Sequence, residues 1–179
     1  KRQMEQANSK GFYQNAMQYG TYLGIFWAMT YILLFKFPTN PIVSTMAMTM
    51  YFGSPFFACR LATVYRRKEC NDNIKYPQAW TFLFFMYLCA TLFSAMTNYI
   101  FFHLIDQGAF LMDFNDILSQ IISAPGIEET AKVQFEQIQD ALSQLTTKEI
   151  VWQLFNNNIF SSLALPPVIA LFLKKQQKI

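Results

Sequence analysis

Long uncharged and apolar segments alternate with short charged ones along this chain of 179 residues. Four segments carry no Asp, Glu, Lys or Arg, and they are 25, 23, 30 and 24 residues long: 11–35, 37–59, 76–105 and 150–173. A helix needs roughly 20 mostly apolar residues to cross the hydrocarbon core of a bilayer. The pattern therefore predicts four transmembrane helices. Their expected bounds are about 16–37, 41–65, 79–105 and 150–173.

The segment 106–149 has a different pattern, because its apolar residues recur at helical spacing. The first apolar face contains Phe110, Leu111, Phe114, Ile117, Leu118, Ile121 and Ile122. Ala124-Pro125-Gly126 then interrupts the periodicity, since proline and glycine together break helices. The second apolar face contains Ile127, Ala131, Phe135, Ile138, Leu142 and Leu145. We predict an antiparallel amphipathic helical hairpin that covers the outer ends of the spans, either as a structural lid or as a docking surface.

Composition supports this architecture. Hydrophobic residues make up 53% of the chain and charged residues 14%, whereas soluble domains carry about 25% charged residues. We therefore predict an all-α polytopic membrane protein whose residues 1–179 form one membrane domain. Soluble enzymes, disordered chains and disulfide-stapled secreted domains fit this composition poorly. The three cysteines show no C-x-x-C spacing, and we expect none in the outer compartment, where disulfides form.

The distribution of charge predicts the orientation in the membrane. Residues 1–10, 60–75 and 174–179 together hold 11 Lys/Arg and 3 Asp/Glu. Residues 106–149 hold 8 Asp/Glu and two cations, Lys132 and Lys148. Because Lys and Arg concentrate in cytoplasmic loops, we expect both termini and the loop 66–75 in the cytoplasm and residues 38–40 and 106–149 on the outer side of the membrane.

A stripe of small residues marks one face of the first span. Ala16, Gly20, Gly24 and Ala28 follow one another at four-residue steps. Small residues let two membrane helices approach closely, which is a main source of attraction between helices in lipid. The stripe predicts either a packing face within the monomer or a dimerisation face.

Polar residues near the outer ends of the third and fourth spans form the candidate site. Asn98 lies seven residues before Ile105, and Asn156 lies six residues after Ile150. At 1.5 Å per residue both lie roughly 10 Å below the outer boundary. An unpaired amide is costly in hydrocarbon, so we predict that Asn98 bonds to the asparagine triplet. The predicted cluster near the outer face contains Asn98, Tyr99, His103, Asn156, Asn157 and Asn158. It acts either as structural glue or as a pocket open to the outer face.

Other chemistry has little support in the sequence. No phosphate-binding glycine loop, zinc-protease motif or nucleophile elbow occurs. His103 and Asp106 supply at most two ligands on one helical face, fewer than a metal site needs, and Arg60 is interpreted as a membrane anchor. We predict no catalytic residue, metal or cofactor and no nucleic-acid partner. Gly53-Ser54-Pro55 predicts a kink at mid-depth of the second span.

The sequence resembles a known family at several points. Four features of the chain resemble domain of unknown function 4199. They are Tyr19-Gly20-Thr21-Tyr22-Leu23-Gly24, then Asn98-Tyr99-Ile100-Phe101-Phe102 before Leu104-Ile105-Asp106, an acidic helical insert, and a last span ending Leu173-Lys174-Lys175. This is a family of small bacterial inner-membrane proteins of the Bacteroidota type. The chain departs from the pattern at 71–77, which is not glycine-rich. The resemblance implies the topology and the inner membrane, and it implies no activity.

Two classes of function follow from these observations. In the first, the protein is an accessory or interaction subunit of a membrane or envelope system. Its partners would be the lipid bilayer and either another membrane or envelope protein or a second copy of the chain. In the second, it is a carrier or enzyme that handles a small or lipid-linked substrate in a polar pocket near the outer face. The scarcity of ionisable residues within the spans favours the first class.

Overall fold

The computed structural model describes residues 2–36 and 40–174, with side chains from residue 11 onward except at 147. Over this part the chain is all-α, and its six α-helices are α1 (Arg2–Lys36), α2 (Pro41–Glu69), α3 (Tyr76–Ile100), α4 (Ala109–Ile122), α5 (Glu129–Ser143) and α6 (Thr147–Leu173). A π-helical turn, Phe101–Asp106, extends α3. The predicted end of the first span at Phe37 lies outside the described residues.

Three of these helices are long and apolar enough to cross a membrane: Pro41–Glu69, Tyr76–Asp106 and Lys148–Leu173. They coincide with the second, third and fourth predicted spans. Among the described residues α1 is not in this set, although it contains residues 16–36 of the first predicted span. Its tyrosines, glycines and Gln18 lower its mean hydropathy. These three apolar helices indicate a membrane protein.

The long helices pack around a central pair formed by α1 and α3. At one end of this pair Phe12 lies against Phe82, with ring centroids 6.0 Å apart. At the other end Phe35 lies against Phe102, at 5.0 Å. α2 packs on α1 and α6 packs on α3, whereas α2 and α6 contact each other less closely. α2 and α6 therefore contact each other less than α2 contacts α1 or α6 contacts α3.

The α1–α3 contact is close because of the small-residue stripe. Ala16, Gly20, Gly24 and Ala28 are all buried. A Cβ atom added at Gly20 would lie 2.6 Å from the carbonyl oxygen of Met86, and one at Gly24 would lie 2.9 Å from Cβ of Phe93. Both distances are shorter than real Cβ contacts, so these two positions require glycine if the backbones are to keep this separation.

Arg66 joins three elements at one end of the bundle. We call this end the basic end, and it carries Arg66, Arg67, Lys68 and Lys174. Its Nη1 donates to the carbonyl oxygen of Leu173 at 2.8 Å, and its Nε donates to Oδ1 of Asp72 at 2.9 Å. A cation is favourable at a helix C-terminus, where carbonyl groups lack intrahelical partners. Arg66 therefore fixes the end of α6 against the α2–α3 loop.

Replacing Arg66 by glutamine is expected to lower the free energy of unfolding by about 2 kcal/mol, because two hydrogen bonds made by a charged group are lost. The midpoint of thermal unfolding in mild detergent measures this loss. Arg67→Gln is the matched control, since Arg67 is exposed, and its effect should stay within about 0.5 kcal/mol. Equal effects of the two substitutions would contradict the role given to Arg66.

The connection from α3 to α4 lies at the opposite end of the bundle. We call this end the arm end, and it carries Lys36, Pro41, Asp106 and Lys148. Here Gln107 and Gly108 have φ angles of 49° and 94°, so the chain turns sharply after α3. The buried carboxylate of Asp106 accepts the backbone N–H groups of Gly108 and Phe110, at 3.2 and 3.1 Å. These bonds satisfy donors that are otherwise unpaired at a helix start. Asp106 thus sets the direction in which α4 leaves the bundle.

α4 and α5, which we call the arm, pack mainly against each other. Leu118 of α4 is buried, and Nε2 of Gln139 donates to Oγ of Ser119 at 2.9 Å. The connecting turn includes Gly126 at φ 95°, within the break expected at 124–126. Within 109–145, Phe110 is the hydrophobic residue that packs on the bundle core, with its ring 4.9 Å from that of Phe35. The arm is therefore attached to the bundle mainly through its first turn.

Candidate functional site

Asparagine side chains of α6 hydrogen-bond to two other long helices. The hydroxyl of Tyr31 on α1 donates to Oδ1 of Asn158 at 2.8 Å. Nδ2 of Asn157 donates to the hydroxyl of Tyr51 on α2 at 3.0 Å. Interhelical hydrogen bonds of this kind stabilise membrane proteins by about 1 kcal/mol each. These two bonds attach both α1 and α2 to the same turn of α6.

The third helix joins through hydroxyl groups. Oγ1 of Thr91 on α3 lies 2.8 Å from Oγ of Ser162, and it also lies 3.4 Å from the carbonyl oxygen of Asn158. Ser162 donates to that same carbonyl oxygen at 2.7 Å. All four long helices therefore meet in one set of hydrogen bonds. We call it the polar network, and its members are Tyr31, Tyr51, Thr91, Asn157, Asn158 and Ser162.

One polar atom of the network has no partner among the described residues. Asn158 is 3% exposed, and its Nδ2 is buried without a hydrogen-bond acceptor. The hydroxyl of Tyr87, one helical turn before Thr91, is also buried and unpaired. Leaving such a group without a partner costs about 1–3 kcal/mol. Buried polar groups in proteins are nearly always paired with protein, water or ligand, so Nδ2 of Asn158 lacks the partner that such a group normally has.

A cavity of about 130 Å³ adjoins the network. Asn158, Ser161 and Leu165 of α6 form one side of its wall. The remaining lining residues come from α1 and α2: Trp27, Tyr31, Tyr51, Phe52, Ser54 and Pro55. Pro55 has no backbone N–H, so the carbonyl of Tyr51 loses its usual helical partner at this wall. The cavity therefore combines aromatic walls with a few polar groups, as ligand sites commonly do.

The predicted outer-face cluster is divided in the structure. Asn157 and Asn158 belong to the polar network, whereas Asn156 is exposed. The predicted hydrogen bond between Asn98 and the triplet is not formed, because Nδ2 of Asn98 instead contacts Oγ of Ser94 on its own helix at 3.5 Å. It is Thr91, two turns before Asn98, that reaches Asn158. The structure therefore corrects the proposed partner of the asparagine triplet.

Tyr99 and His103 lie at the arm end. Their rings stack at 5.6 Å, and they line a separate cavity of about 320 Å³ with Thr146 and Lys148. His103 is exposed, whereas Asp106 is buried and bonded to the start of α4. Among the described residues no group of three or more His, Cys, Asp or Glu could hold a metal ion. His103 and Asp106 thus have different surroundings, although they share a helical turn.

Several network residues have no distinctive sequence signal. Tyr31, Tyr51, Thr91 and Ser162 are ordinary residues of membrane helices. The spacing of polar residues on one helix does not show which residues of another helix they will contact, because that depends on how each helix is rotated about its axis. A buried tyrosine needs a partner for its hydroxyl, and this was the one available clue for Tyr31.

The comparisons with known proteins identify the family. The family model described as protein of unknown function, DUF4199, matches residues 18–175. The chain belongs to the DUF4199 family. No curated protein and no solved structure matches it significantly. The DUF4199 match includes every residue of the polar network and the whole arm, so both features lie within the family domain.

Proposed function

We propose that this DUF4199 protein is an accessory or interaction subunit of a bacterial inner-membrane or envelope system, and that the arm is its docking surface. The observation that supports this most is the weak attachment of the arm to its own bundle. α5 has no buried residue, and the arm exposes the apolar side chains of Met112, Val133 and Ile138. Exposed apolar surface of this kind commonly marks an interaction site.

The topology in this proposal has four spans, with α1 as the first. The contacts of Phe12 and Phe35 place α1 along α3 from Phe82 to Phe102, which is most of the length of a helix that is apolar enough to span. Its glycines Gly20 and Gly24 also face α3 so closely that a Cβ atom at either position would lie less than 3.0 Å from an atom of α3. A helix so integrated with a spanning helix has the same depth in the bilayer.

The proposed orientation puts the basic end in the cytoplasm and the arm, as a helical hairpin, outside. Residues 106–149 contain 8 Asp/Glu against two Lys, whereas the opposite end of the bundle is rich in Lys and Arg. Cytoplasmic loops carry the excess of Lys and Arg. The acidic arm would be repelled by anionic lipid headgroups, so it extends away from them.

The partner of the arm is a protein with a basic surface. On α5 and just before it, the acidic residues Glu128, Glu129, Glu136 and Asp140 are all exposed. One ion pair within the arm, Lys132 with Glu129 at 3.8 Å, offsets a small part of this charge. Charge complementarity of this kind mainly accelerates association and selects the partner, and it weakens with salt.

Photo-crosslinking in intact cells tests the docking role. A photoreactive amino acid at Val133 should give one discrete crosslinked product with an envelope protein, identified by mass spectrometry. Neutralising the acidic face with the combined changes E128Q, E129Q, E136Q and D140Q should reduce that product at least fivefold. A photoreactive residue at Phe172, exposed at the basic end, is the positional control and should not give it.

The nature of the crosslinked product decides between the alternatives. A product with a second copy of the chain would replace the accessory role by a homo-oligomer. A product with the same envelope protein at undiminished yield in the neutralised variant would contradict recognition by charge. If Val133 gives no protein crosslink in cells, the docking role of the arm is wrong.

A further inference from the structure

We propose that the cavity between α2 and α6 binds the ring-sized, carbonyl-bearing headgroup of a lipid-soluble molecule of the quinone type. This inference is independent of the accessory role, since it concerns the interior of the bundle and not the arm. It rests on the depth of the cavity, on its size and walls, and on the hydrogen-bond donors that its wall supplies.

The depth of the cavity restricts how a ligand can reach it. Tyr51 lies 10 residues after Pro41 and Asn158 lies 11 residues after Thr147. At 1.5 Å per residue each is about 15 Å from its helix start, near the middle of a hydrocarbon core of about 30 Å. The cavity lies between α2 and α6, with Trp27 and Tyr31 of α1 in its wall, and these two helices contact each other less than α2 contacts α1 or α6 contacts α3. A ligand that already resides in the bilayer can therefore enter sideways between these two helices.

The size and the walls favour a flat ring. The cavity has about 130 Å³, somewhat less than the roughly 150 Å³ that holds a benzene molecule, so it takes one ring at most and the larger substituents of that ring lie outside it. Complete lipid-linked sugars are much larger, because pockets for drug-sized ligands occupy about 300–1,000 Å³. Trp27, Tyr31, Tyr51 and Phe52 supply aromatic surface in the wall, and aromatic rings pack favourably on one another. A hydrophobic tail attached to the ring would extend into the bilayer between α2 and α6.

The donors in the wall select a hydrogen-bond acceptor. Nδ2 of Asn158 carries two N–H groups and has no acceptor among the described residues. The hydroxyl of Tyr51 accepts from Asn157, and its own hydrogen remains available to a bound group. Oδ1 of Asn158 is already occupied by Tyr31. The wall thus offers Asn158 and Tyr51 as donors to a carbonyl oxygen, beside the hydroxyls of Ser54 and Ser161 and the carbonyl of Tyr51 that Pro55 leaves unpaired.

Tryptophan fluorescence provides a direct test, because quinones quench a nearby indole. The protein with W80F and W152F retains Trp27, which lines the cavity, and is placed in phosphatidylcholine nanodiscs. Titration with 2-decyl-1,4-benzoquinone should give saturable quenching in addition to the linear quenching due to quinone dissolved in the lipid. Asn158→Leu should weaken the saturable component about tenfold. Asn156→Leu, at an exposed position on the same helix, should leave it unchanged.

Two further measurements keep the proposal falsifiable. Tyr51→Phe retains the aromatic wall and removes one donor, so it should weaken binding about threefold even if Asn158→Leu fails to fold. Decylbenzene, which has the ring and the tail but no carbonyl, should not compete with the quinone. Purely linear quenching would show that the cavity holds no such headgroup. Saturable quenching that is unchanged in Tyr51→Phe and displaced by decylbenzene would show an apolar site without the proposed donors.

Discussion

Replacing Gly20 by leucine is expected to abolish the folded bundle, whereas the same substitution at Gly53 should be tolerated. Even the single Cβ of alanine at position 20 would lie 2.6 Å from the carbonyl oxygen of Met86 and 2.7 Å from Cβ of Cys89. Backbone and Cβ atoms cannot move aside as a flexible side chain can, so α1 and α3 would have to separate. Overpacking of a close contact costs about 1–3 kcal/mol for small additions, and leucine adds three more carbons.

The graded series at Gly20 provides the measurement. The midpoint of thermal unfolding in mild detergent should fall for Gly20→Ala, and Gly20→Leu should give no monodisperse peak in size-exclusion chromatography. A Cβ at Gly53 meets nothing within 4 Å, so Gly53→Ala and Gly53→Leu are the matched controls. If Gly20→Leu instead retained its stability and changed only its oligomeric state, the stripe would be a dimerisation face and the close α1–α3 contact would be wrong.

The positions of the helices could be predicted from the sequence because charge and apolar periodicity determine them directly. Three predicted spans coincide with long apolar helices, and the residues expected to form two amphipathic helices lie in α4 and α5 except Ile127 and Leu145, which lie just outside α5. The break at 124–126 was predictable because proline and glycine disfavour a continuous helix at that point. These are local properties of the chain, and they need no knowledge of how the helices pack.

The partners of the asparagines could not be predicted in this way. The sequence-based prediction places the outer ends of α3 and α6 at the same level, so that Asn98 faces the triplet. In the structure Thr91 reaches Asn158, and Thr91 lies 15 residues before Asp106 whereas Asn158 lies 11 residues after Thr147. The difference of four residues corresponds to about 6 Å, so α3 extends further towards the arm end than α6 does.

Cysteine labelling is expected to give opposite results at the two ends of the bundle. With Cys59 and Cys89 replaced by alanine, Cys70 lies at the basic end and is the remaining thiol. It should stay unlabelled by a membrane-impermeant maleimide in intact spheroplasts and react after the membrane is permeabilised. A cysteine introduced at Ser143, in the arm, together with Cys70→Ala should react in intact spheroplasts. The contrast should be nearly complete, because a bilayer separates the two positions.

The pH of the labelling reaction must be chosen with Cys70 in mind. Burial raises the pKa of the Cys70 thiol, and a hydrogen bond from Tyr65 opposes that shift without cancelling it. Since the thiolate is the reactive form, less of it exists at pH 7 than in an ordinary cysteine, and labelling of permeabilised spheroplasts should accelerate between pH 7 and pH 8.5. Protection of Cys70 in intact spheroplasts at both pH values supports a cytoplasmic basic end.

Labelling of Cys70 but not of the introduced cysteine in intact spheroplasts would reverse the orientation, and with it the proposal that the acidic arm meets an envelope partner. Labelling of both in intact spheroplasts would place the two ends on one side and contradict the four-span topology, because the basic end and the arm end would then have no bilayer between them.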